Sequence, residues 1–419
     1  MSESLSKNLD YDIVIVGGGL VGAGLACALG NLKHQNGEPL RIAIIEAVPF
    51  RDAAQPSYDD RNIALSQASY RIFNTLGLWA GIHNAATPIE SIYVSNRGHF
   101  GAARLHAKDH QVQALGYVAQ TRAIGEAFKS KLESFENIEL ICPASIVSLD
   151  NREDIASVTL VQNEQEKTLH CSLIIGADGA KSKTRELLNI TTHKHDHGQT
   201  AIVANVTPEK PHHNAAYERF TDSGPLALLP MSEQRCALVY TVWHNEVDEI
   251  LNLAEEVFLK QLSQRFGDRL GRFIKVGKRG SYPLALNRAD KTLAIRAALI
   301  GNAAHSLHPV AGQGFNLGVR DIAVLSETIS DALKNNLDIG NQQSLAAFQQ
   351  WRKGDQQRII SFTEGLVSVF SNPLASVKLL RNLGLVGVDL LPPVKKLLAR
   401  QTMGIAGKQP RLARGISLV

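Results

Sequence analysis

The first hydrophobic pattern of the chain is a short, continuous run of β-branched residues, Ile13–Val16. A continuous apolar run over so few positions predicts a strand that is buried on both faces, as in a parallel sheet. A stretch of small residues, LVGAGLACALG, follows and predicts a helix, and a second apolar run covers Ile42–Ile45. The pattern therefore predicts a strand–helix–strand unit over residues 11–46.

Three glycines, Gly17, Gly19 and Gly22, lie between the first strand and the helix with the spacing G-x-G-x-x-G. Gly17 permits a tight turn, Gly19 lets a pyrophosphate approach the backbone, and Gly22 lets the helix pack close to the strand. The free N–H groups at the start of the helix would face the phosphates. Glu46 ends the second strand, where a carboxylate would bond ribose hydroxyls. The combination predicts a dinucleotide site, and the alternative is a glycine-rich turn without a nucleotide.

Apolar periodicity also predicts most of the later elements, because period two indicates strands and period 3.6 indicates helices. The predicted elements are a helix beginning near Ser66, a helix over Thr121–Leu132, strands over 199–243, a helix over Glu246–Phe266, a strand over 293–300 and helices from Asn316 onward.

This order of elements predicts the α/β class, with a Rossmann-like nucleotide-binding domain, an inserted strand-rich substrate domain and a helical C-terminal tail. We expect the nucleotide-binding domain to comprise 1–195 and, as its last piece, 285–365. The strand-rich domain would be 196–284 and the tail 366–419.

Composition excludes several classes of protein. The 419 residues are 44% hydrophobic and 20% charged, and the net charge of +4 is spread too thinly to indicate nucleic-acid binding. The four cysteines show no C-x-x-C spacing, which argues against a disulfide framework or zinc site. The short polar N-terminus leaves no room for a signal peptide, and no apolar run reaches the ~18 residues of a membrane span. We therefore expect a cytoplasmic protein.

Two further stretches carry possible binding chemistry. In GADGAKSKTR, Asp178 follows a strand, and its simplest interpretation is a helix-capping residue. In LIGNAAHSLHPVAGQGFNLGVRD, Pro309 fixes a bend, while Gly312 and Gly314 form a loop before a helix near Asn316. Backbone N–H groups in that loop would make a second cradle for an anion or carbonyl. Two distant cradles suit a long ligand with two ends, although a glycine-rich connector is the alternative for the second.

The three stretches, in this order, resemble the FAD-dependent aromatic hydroxylases of the para-hydroxybenzoate hydroxylase fold. Within that group the chain is similar to the ubiquinone-biosynthesis hydroxylases, most closely the 2-polyprenyl-6-methoxyphenol hydroxylases. The resemblance extends to about Gly407 and includes strings outside the cofactor motifs, such as YVSNRGHFG, ALGYVAQ and GKRGSYPLAL. It implies an FAD-binding domain, a substrate domain and a monooxygenase activity.

By this resemblance, the ADP half of FAD would be held by Gly17, Gly19, Gly22 and Glu46. Arg61 would lie along the ribityl chain or the pyrophosphate, Gln120 would contact the flavin, and Asp178 would serve both the pyrophosphate and the nicotinamide nucleotide. The ribityl chain and ring would be held by Gly301, Asn302, Pro309, Gly312, Gln313, Gly314 and Asn316. The family has Asp where this chain has Asn302, so we expect FAD binding to be retained with altered flavin electrostatics.

The resemblance also implies the reaction. NAD(P)H would reduce FAD, dioxygen would form a flavin hydroperoxide, and its distal oxygen would attack a polyprenylated phenol of ubiquinone biosynthesis. No catalytic residue is assigned; His305 is a candidate proton acceptor, and packing is the commoner role for such a histidine. Leu226–Leu229 and Pro283–Leu286 are expected to line the ring pocket, with sheet core as the alternative.

Three questions stay open at this level. The protein could instead be a non-hydroxylating flavin oxidoreductase, or a flavin-bound non-catalytic subunit of a quinone-biosynthesis complex. The histidines of HKHDHG, His193, His195 and His197, favour a solvated loop over a metal site, and no metal is predicted. The apolar and basic tail predicts helices that pack on the FAD-binding domain, or an amphipathic surface for a membrane or another ubiquinone-biosynthesis protein.

Overall fold

The structure is a computed structural model that describes residues 9–49, 61–306, 312–371 and 374–419. In chain order, its strands are β1 (Tyr11–Val16), β2 (Ile42–Ile45), β3 (Asn62–Ser66), β4 (Ala86–Ile89), β5 (Ser91–Asn96), β6 (Ala102–His106), β7 (Gly116–Gln120), β8 (Ile138–Ile141), β9 (Ser145–Asn151), β10 (Ala156–Gln162), β11 (Gln165–Gly176), β12 (Thr192–Pro208), β13 (Ala215–Thr221), β14 (Gly224–Pro230), β15 (Cys236–Trp243), β16 (Phe273–Val276), β17 (Gly280–Ala289), β18 (Leu293–Ala294), β19 (Ala297–Leu299) and β20 (His305–Ser306). Its α-helices are α1 (Leu20–Leu29), α2 (Gln67–Thr75), α3 (Trp79–Ile82), α4 (Thr121–Leu132), α5 (Lys183–Leu187), α6 (Val247–Asn252), α7 (Glu255–Phe266), α8 (Gln313–Lys334), α9 (Gln342–Ser371), α10 (Ala375–Leu390) and α11 (Pro392–Thr402).

A parallel sheet carries the first part of the chain. Its central strands run in the order β19-β11-β1-β2-β8, with Ile13 between Leu173 and Ile42. Side chains alternate across a strand, so Ile13 and Ile15 pack into one buried cluster, while Val14 and Val16 pack into another. The first cluster contains residues of α1, α4 and α8, and α1 packs against the other two helices. Burial on both faces explains the continuous apolar run that predicted this strand.

A second sheet holds the strand-rich part, in the order β20-β17-β12-β15-β14-β13-β5-β6, with β16 on β12. Apolar residues of its central strands pack with α6 and α7 into a separate buried cluster that includes Leu226, Tyr240 and Phe258. Strands β5 and β6 belong to this sheet, where β5 pairs in parallel with β13, although they precede β12 by almost ninety residues. A small sheet, β3-β7-β4, completes the described sheets.

Several local predictions are confirmed, including the helix over Thr121–Leu132 and the helix that begins after Ser66. Three are wrong. The single strand over 293–300 is the hairpin β18–β19, with Arg296 at φ 48° in the turn. The helix over Glu246–Phe266 is two helices, α6 and α7. The HKHDHG tract lies on β12 and not in a loop; His193 and His195 are exposed there, and His193 Nε2 lies 2.6 Å from Asp290 Oδ1.

The C-terminal helices extend over both sheets. α9 packs on α8 and reaches β13 and β14, while α10 and α11 pack on β6. The last residues return to the parallel sheet, where Leu412 and Leu418 are buried in the same cluster as Ile13. Packing of the tail on the protein is thus confirmed, but α10 and α11 cover the second sheet. None of the helices in the described ranges combines the length and apolarity that crossing a bilayer requires.

Candidate functional site

The first cradle lies where β1 turns into α1. Gly17 has φ +103°, and a Cβ at this position would lie 2.6 Å from the Ala177 carbonyl oxygen. A Cβ on Gly22 would lie 1.9 Å from the Gly17 carbonyl oxygen, so α1 approaches the turn as closely as its backbone allows. Gly19 caps α1 without a side-chain hydrogen bond, and the first turn of α1 has no acidic residue. The N–H groups of this helix end are therefore available to a phosphate.

Two carboxylates border the first cradle. Glu46 follows β2, and its carboxylate accepts hydrogen bonds from Gly18 N at 2.6 Å and Val48 N at 2.8 Å. Asp178 follows β11, and its carboxylate accepts bonds from Ser182 Oγ, Thr184 N and Thr184 Oγ1. Ser182, and not Asp178, is the N-cap of α5, because its Oγ accepts from Arg185 N, whereas Asp178 accepts from Thr184 N in the first turn of that helix. Because Asp178 Cα lies next to Gly17, the parallel sheet brings this second stretch beside the first cradle.

The second cradle follows β19 and leads into α8. Gly301 has φ +58°, and its Cβ would lie 3.1 Å from the Val21 side chain, so this turn rests on the first turn of α1. Asn302 is exposed beside it. Gly312 is the left-handed cap of α8 and, like Gly19, provides no side-chain hydrogen bond. A Cβ on Gly314 would meet open space.

Asn316 holds the second cradle in place through all four of its amide hydrogen-bonding positions. Its Oδ1 accepts bonds from Ser66 N and Ser69 Oγ, both at 2.7 Å. Its Nδ2 donates to Ala64 O at 2.8 Å and Gly312 O at 2.6 Å. Asn316 thus connects the start of α2 to the Gly312 loop by hydrogen bonds, which hold the backbone of the second cradle in position.

The other predicted site residues occupy different positions. Arg61 lies on the cavity wall, with its guanidinium carbon 5.2 Å from the ring centre of Tyr282. Gln120 ends β7 opposite Asn62 and is half-buried, and its side chain is not part of that wall. The backbone of Gln313 begins α8. Pro309 lies outside the described residues.

A cavity of about 1080 Å³ joins the two cradles to the second sheet. One end is lined by Gly19, Val21, Gly301, Asn302, Gly312 and Gly314. The other end is mostly apolar and is lined by side chains of β5, β6, β13, β14 and the C-terminal helices, among them Val94, Leu105, Phe220, Leu229, Phe370, Leu385 and Leu398. A single space therefore runs from phosphate-binding backbone to an apolar chamber.

A model of the FAD binding domain family matches residues 10–363. The chain belongs to this family. It is 37% identical to the ubiquinone hydroxylase UbiL of Rhodospirillum rubrum over 97% of this chain and 93% of that protein. It is 36% identical to the uncharacterized protein slr1300 of Synechocystis sp. over 100% of this chain and 99% of that protein. The crystal structure of p-nitrophenol 4-monooxygenase PnpA from Pseudomonas putida superposes with a TM-score of 0.76 at 17% identity, covering 95% and 98% of the two chains.

The resemblance to FAD-dependent hydroxylases of ubiquinone biosynthesis is thereby confirmed, and the protein is an FAD-dependent monooxygenase by family. The geometry of the two cradles also fits FAD. Two helix N-termini without side-chain caps face the same cavity, and close packing excludes a Cβ at Gly17 and Gly22. The dinucleotide needs such bare backbone for its pyrophosphate and for the flavin end.

The pocket residues expected from the sequence are partly corrected. Ala227 and Leu229 line the cavity, whereas Leu226 and Leu228 face the opposite side and join the buried core of the second sheet. Pro283–Leu286 were expected on the wall, but these residues of β17 are not among the residues that line it. Period-two alternation explains the first result, because only every second residue of a strand faces the cavity.

A buried ion-pair network supports the second cradle and includes His305. Its Nε2 lies 2.7 Å from Asp321 Oδ2, which also accepts a bond from Gly301 N at 3.0 Å. Arg352 Nε donates to Asp321 Oδ1 at 2.6 Å, and Arg352 also pairs with Asp355. Burial alone would raise the pKa of Asp321, but His305 and Arg352 outweigh it and hold that pKa below its usual range. His305 is buried and hydrogen-bonded through Nε2 to Asp321, and its role as a proton acceptor stays a prediction.

Sequence reasoning missed the cavity wall formed by β5, β6 and the C-terminal helices. Their apolar spacing was readable, but no local pattern states which sheet a strand joins or which surface a helix covers.

Proposed function

We propose that the protein hydroxylates a polyprenylated phenol in ubiquinone biosynthesis, using NAD(P)H and dioxygen. The observation that carries the proposal is the cavity, which continues from the FAD cradles into an apolar chamber beneath α10. An aromatic ring with an isoprenoid chain has little polar surface, so an apolar wall stabilises it through the hydrophobic effect. The relative UbiL, named a ubiquinone hydroxylase, supports the same substrate class.

The bound FAD would supply electron transfer from NAD(P)H and the activation of dioxygen. The residues of the chain would bind FAD, orient the substrate and exclude water. Gly17, Gly19 and Gly22 would present backbone to the pyrophosphate, and Glu46 would accept a bond from the ribose. Gly301, Asn302, Gly312 and Gly314 would border the flavin, and Phe220 and Leu229 would help to keep the chamber dry. Exclusion of water matters because it suppresses unproductive side reactions.

The division into an FAD-binding domain of 1–195 and 285–365, a substrate domain of 196–284 and a tail of 366–419 remains our proposal. Under it, the ring would be oxidised between the two domains. We further propose that the enzyme works on the cytoplasmic side of a membrane, where its hydrophobic substrate resides, and beside other ubiquinone-biosynthesis proteins.

The decisive experiment uses the purified, FAD-loaded protein with NADH or NADPH and a farnesylated methoxyphenol. The expected result is substrate-dependent oxidation of the nicotinamide and a product that is heavier by one oxygen atom, labelled when ¹⁸O₂ is supplied. The same phenol without its prenyl chain is the control, and we expect it to be turned over less efficiently. A product without added oxygen would favour a non-hydroxylating oxidoreductase. FAD binding without turnover of any tested phenol would favour a non-catalytic subunit.

A further inference from the structure

Helices α10 and α11 present a row of exposed aliphatic side chains. Within α10, Leu383 and Leu390 are seven residues apart, and within α11, Val394 and Leu397 are three apart, so each pair lies on one helix face. We call this surface the tail ridge; its members and their exposed fractions are Leu380 (68%), Leu383 (51%), Leu390 (71%), Leu391 (53%), Val394 (40%) and Leu397 (67%). Single exposed leucines are ordinary, but several of them on one helix face are typical of an interaction site.

The segment that contains the tail ridge also holds the positive charge of the molecule. Residues 365–419 include eight basic residues and one acidic residue, a net charge of +7. The preceding 364 residues carry 36 basic and 39 acidic residues, a net charge of −3. The acidic residue of the segment, Asp389, pairs with Arg104 and Lys395, and its side chain is only 10% exposed. Lys396 and Arg400 are exposed on α11 beside the ridge.

This combination identifies the partner by its chemistry. An apolar ridge flanked by unneutralised cations complements a bilayer that contains anionic lipid, because acyl chains accept the leucines and headgroups attract the cations. A second copy of the chain is a poorer partner, because face-to-face pairing would bring the exposed Lys396 and Arg400 of one copy against those of the other.

The same helices form one wall of the cavity. Val377, Leu385, Val388 and Leu398 line it, and Leu380 both lines the cavity and belongs to the tail ridge. The ridge therefore begins at an edge of the cavity. A lipid that entered past Leu380 would pass from acyl chains to the apolar chamber without crossing bulk water.

We propose that the tail ridge docks on an anionic membrane surface and admits the isoprenoid substrate past Leu380 into the cavity. The docking step stands by itself, and the admission step rests on the proposed hydroxylase function. The ridge lies in the plane of the interface, with Lys396 and Arg400 among the headgroups.

The test is co-sedimentation of the full-length, FAD-loaded protein with phosphatidylcholine vesicles, with or without about 30 mol% phosphatidylglycerol. We expect binding to the mixed vesicles that weakens when NaCl is raised, because salt screens the cations. In the triple variant Leu383→Ser, Leu390→Ser, Leu397→Ser, the partition coefficient should fall roughly tenfold or more, because three anchoring side chains are lost. The pair Lys396→Glu, Arg400→Glu should remove the preference for anionic lipid.

Matched controls lie away from the tail, on β16 and α7. Ile274→Ser removes an aliphatic side chain that is 58% exposed, and Lys260→Glu reverses an exposed charge. Both controls should bind vesicles as the unaltered protein does. Equal sedimentation of the ridge variant and the Ile274→Ser control would overturn the docking proposal. So would a dimer that dissociates in the ridge variant while vesicle binding stays the same.

Activity separates docking from the proposed function. A short-chain phenol in solution should be turned over equally by the unaltered protein and the ridge variant, whereas a long-chain phenol in vesicles should be turned over more slowly by the variant. Equal rates with the vesicle-borne phenol would overturn the admission step. Vesicle binding without hydroxylation of any phenol would refute the hydroxylase proposal and leave docking intact.

Discussion

At the scale of single residues, Asp321 connects the Gly301 turn to buried charged side chains of the protein interior. Its carboxylate accepts a bond from Gly301 N, the turn of the second cradle, and pairs with His305 and Arg352. Both Asp321 and Arg352 have side chains that are 1% exposed, so neither charge can be compensated by water if its partner is lost.

We predict that Asp321→Asn destabilises the protein by about 3 kcal/mol, because it leaves a buried guanidinium partly unpaired. FAD affinity should also fall, since Gly301 loses its anchor. Calorimetry and FAD titration measure the two effects. Asp154→Asn, at an exposed turn, is the control and should change neither.

The pH dependence of this effect follows from the lowered pKa of Asp321. A carboxyl with a depressed folded-state pKa stabilises fully above its unfolded value, near 3.9, and loses that contribution as pH falls toward the folded value. The difference in unfolding free energy between the unaltered protein and Asp321→Asn should therefore be constant from pH 7 to about pH 5. It should become smaller only below about pH 4. A difference that vanished at pH 6 would contradict this assignment.

Asn302 is the position at which the resemblance implies an acidic residue. It is exposed on the cavity wall, so a carboxylate there meets no buried partner. We predict that Asn302→Asp retains FAD and lowers its two-electron reduction potential by about 30 mV, which corresponds to ~1.4 kcal/mol of added repulsion toward the reduced flavin. A redox titration measures this shift. If only the aspartate variant held FAD, the placement of Asn302 at the flavin would be wrong.

At the scale of elements, we propose that the N-termini of α1 and α8 hold the cofactor, because the glycines at these helix ends leave backbone N–H groups accessible. Glycine contributes to these helix ends in two ways: at Gly22 it allows close packing, and at Gly314 it leaves space in the cavity. A Cβ on Gly22 would overlap backbone, whereas one on Gly314 would meet open space in the cavity.

We predict that Gly22→Ala lowers both the melting temperature and FAD binding, because the Gly17 turn must move. Gly314→Ala lies inside α8 and should raise, not lower, the melting temperature of the FAD-free protein, but it should weaken FAD binding, since its methyl group would occupy the space beside the flavin. Thermal melts with and without FAD distinguish the two. Gly354→Ala, inside α9 with nothing near its Cβ, is the control and should stabilise by about 0.5–1 kcal/mol.

At the scale of the whole molecule, the C-terminal helices close a chamber between two sheets. Asp389 of α10 fastens this cover, because it pairs with Arg104 of β6 and with Lys395 of α11. Its hydrogen bond from Arg104 is the main cause of its lowered pKa, and burial acts in the opposite direction.

We predict that Asp389→Asn loosens α10 and admits water to the chamber. Under the proposed function, a larger fraction of oxidised NAD(P)H should then appear as hydrogen peroxide and less as hydroxylated phenol. A peroxide assay beside product quantification measures this coupling. Asp222→Asn is the control, since Asp222 pairs with Arg97 and Arg265 beyond the tail and is 71% exposed. Equal coupling in both variants would show that the Asp389 pairs do not seal the chamber.

The sequence by itself determined the strand–turn–helix unit β1–α1, because the rules that form it are local. One strand–turn–helix geometry follows from neighbouring residues: a β-branched run, then Gly17 and Gly22, then a helix of small residues. Only the tertiary structure decided which segments meet across the cavity. The pairing of β5 with β13, the hairpin at Arg296 and the position of α10 depend on contacts between residues far apart in the chain. The surroundings of His305 could not be predicted for the same reason. Its hydrogen-bond partner Asp321 lies on α8, and Arg352, which pairs with Asp321, lies on α9.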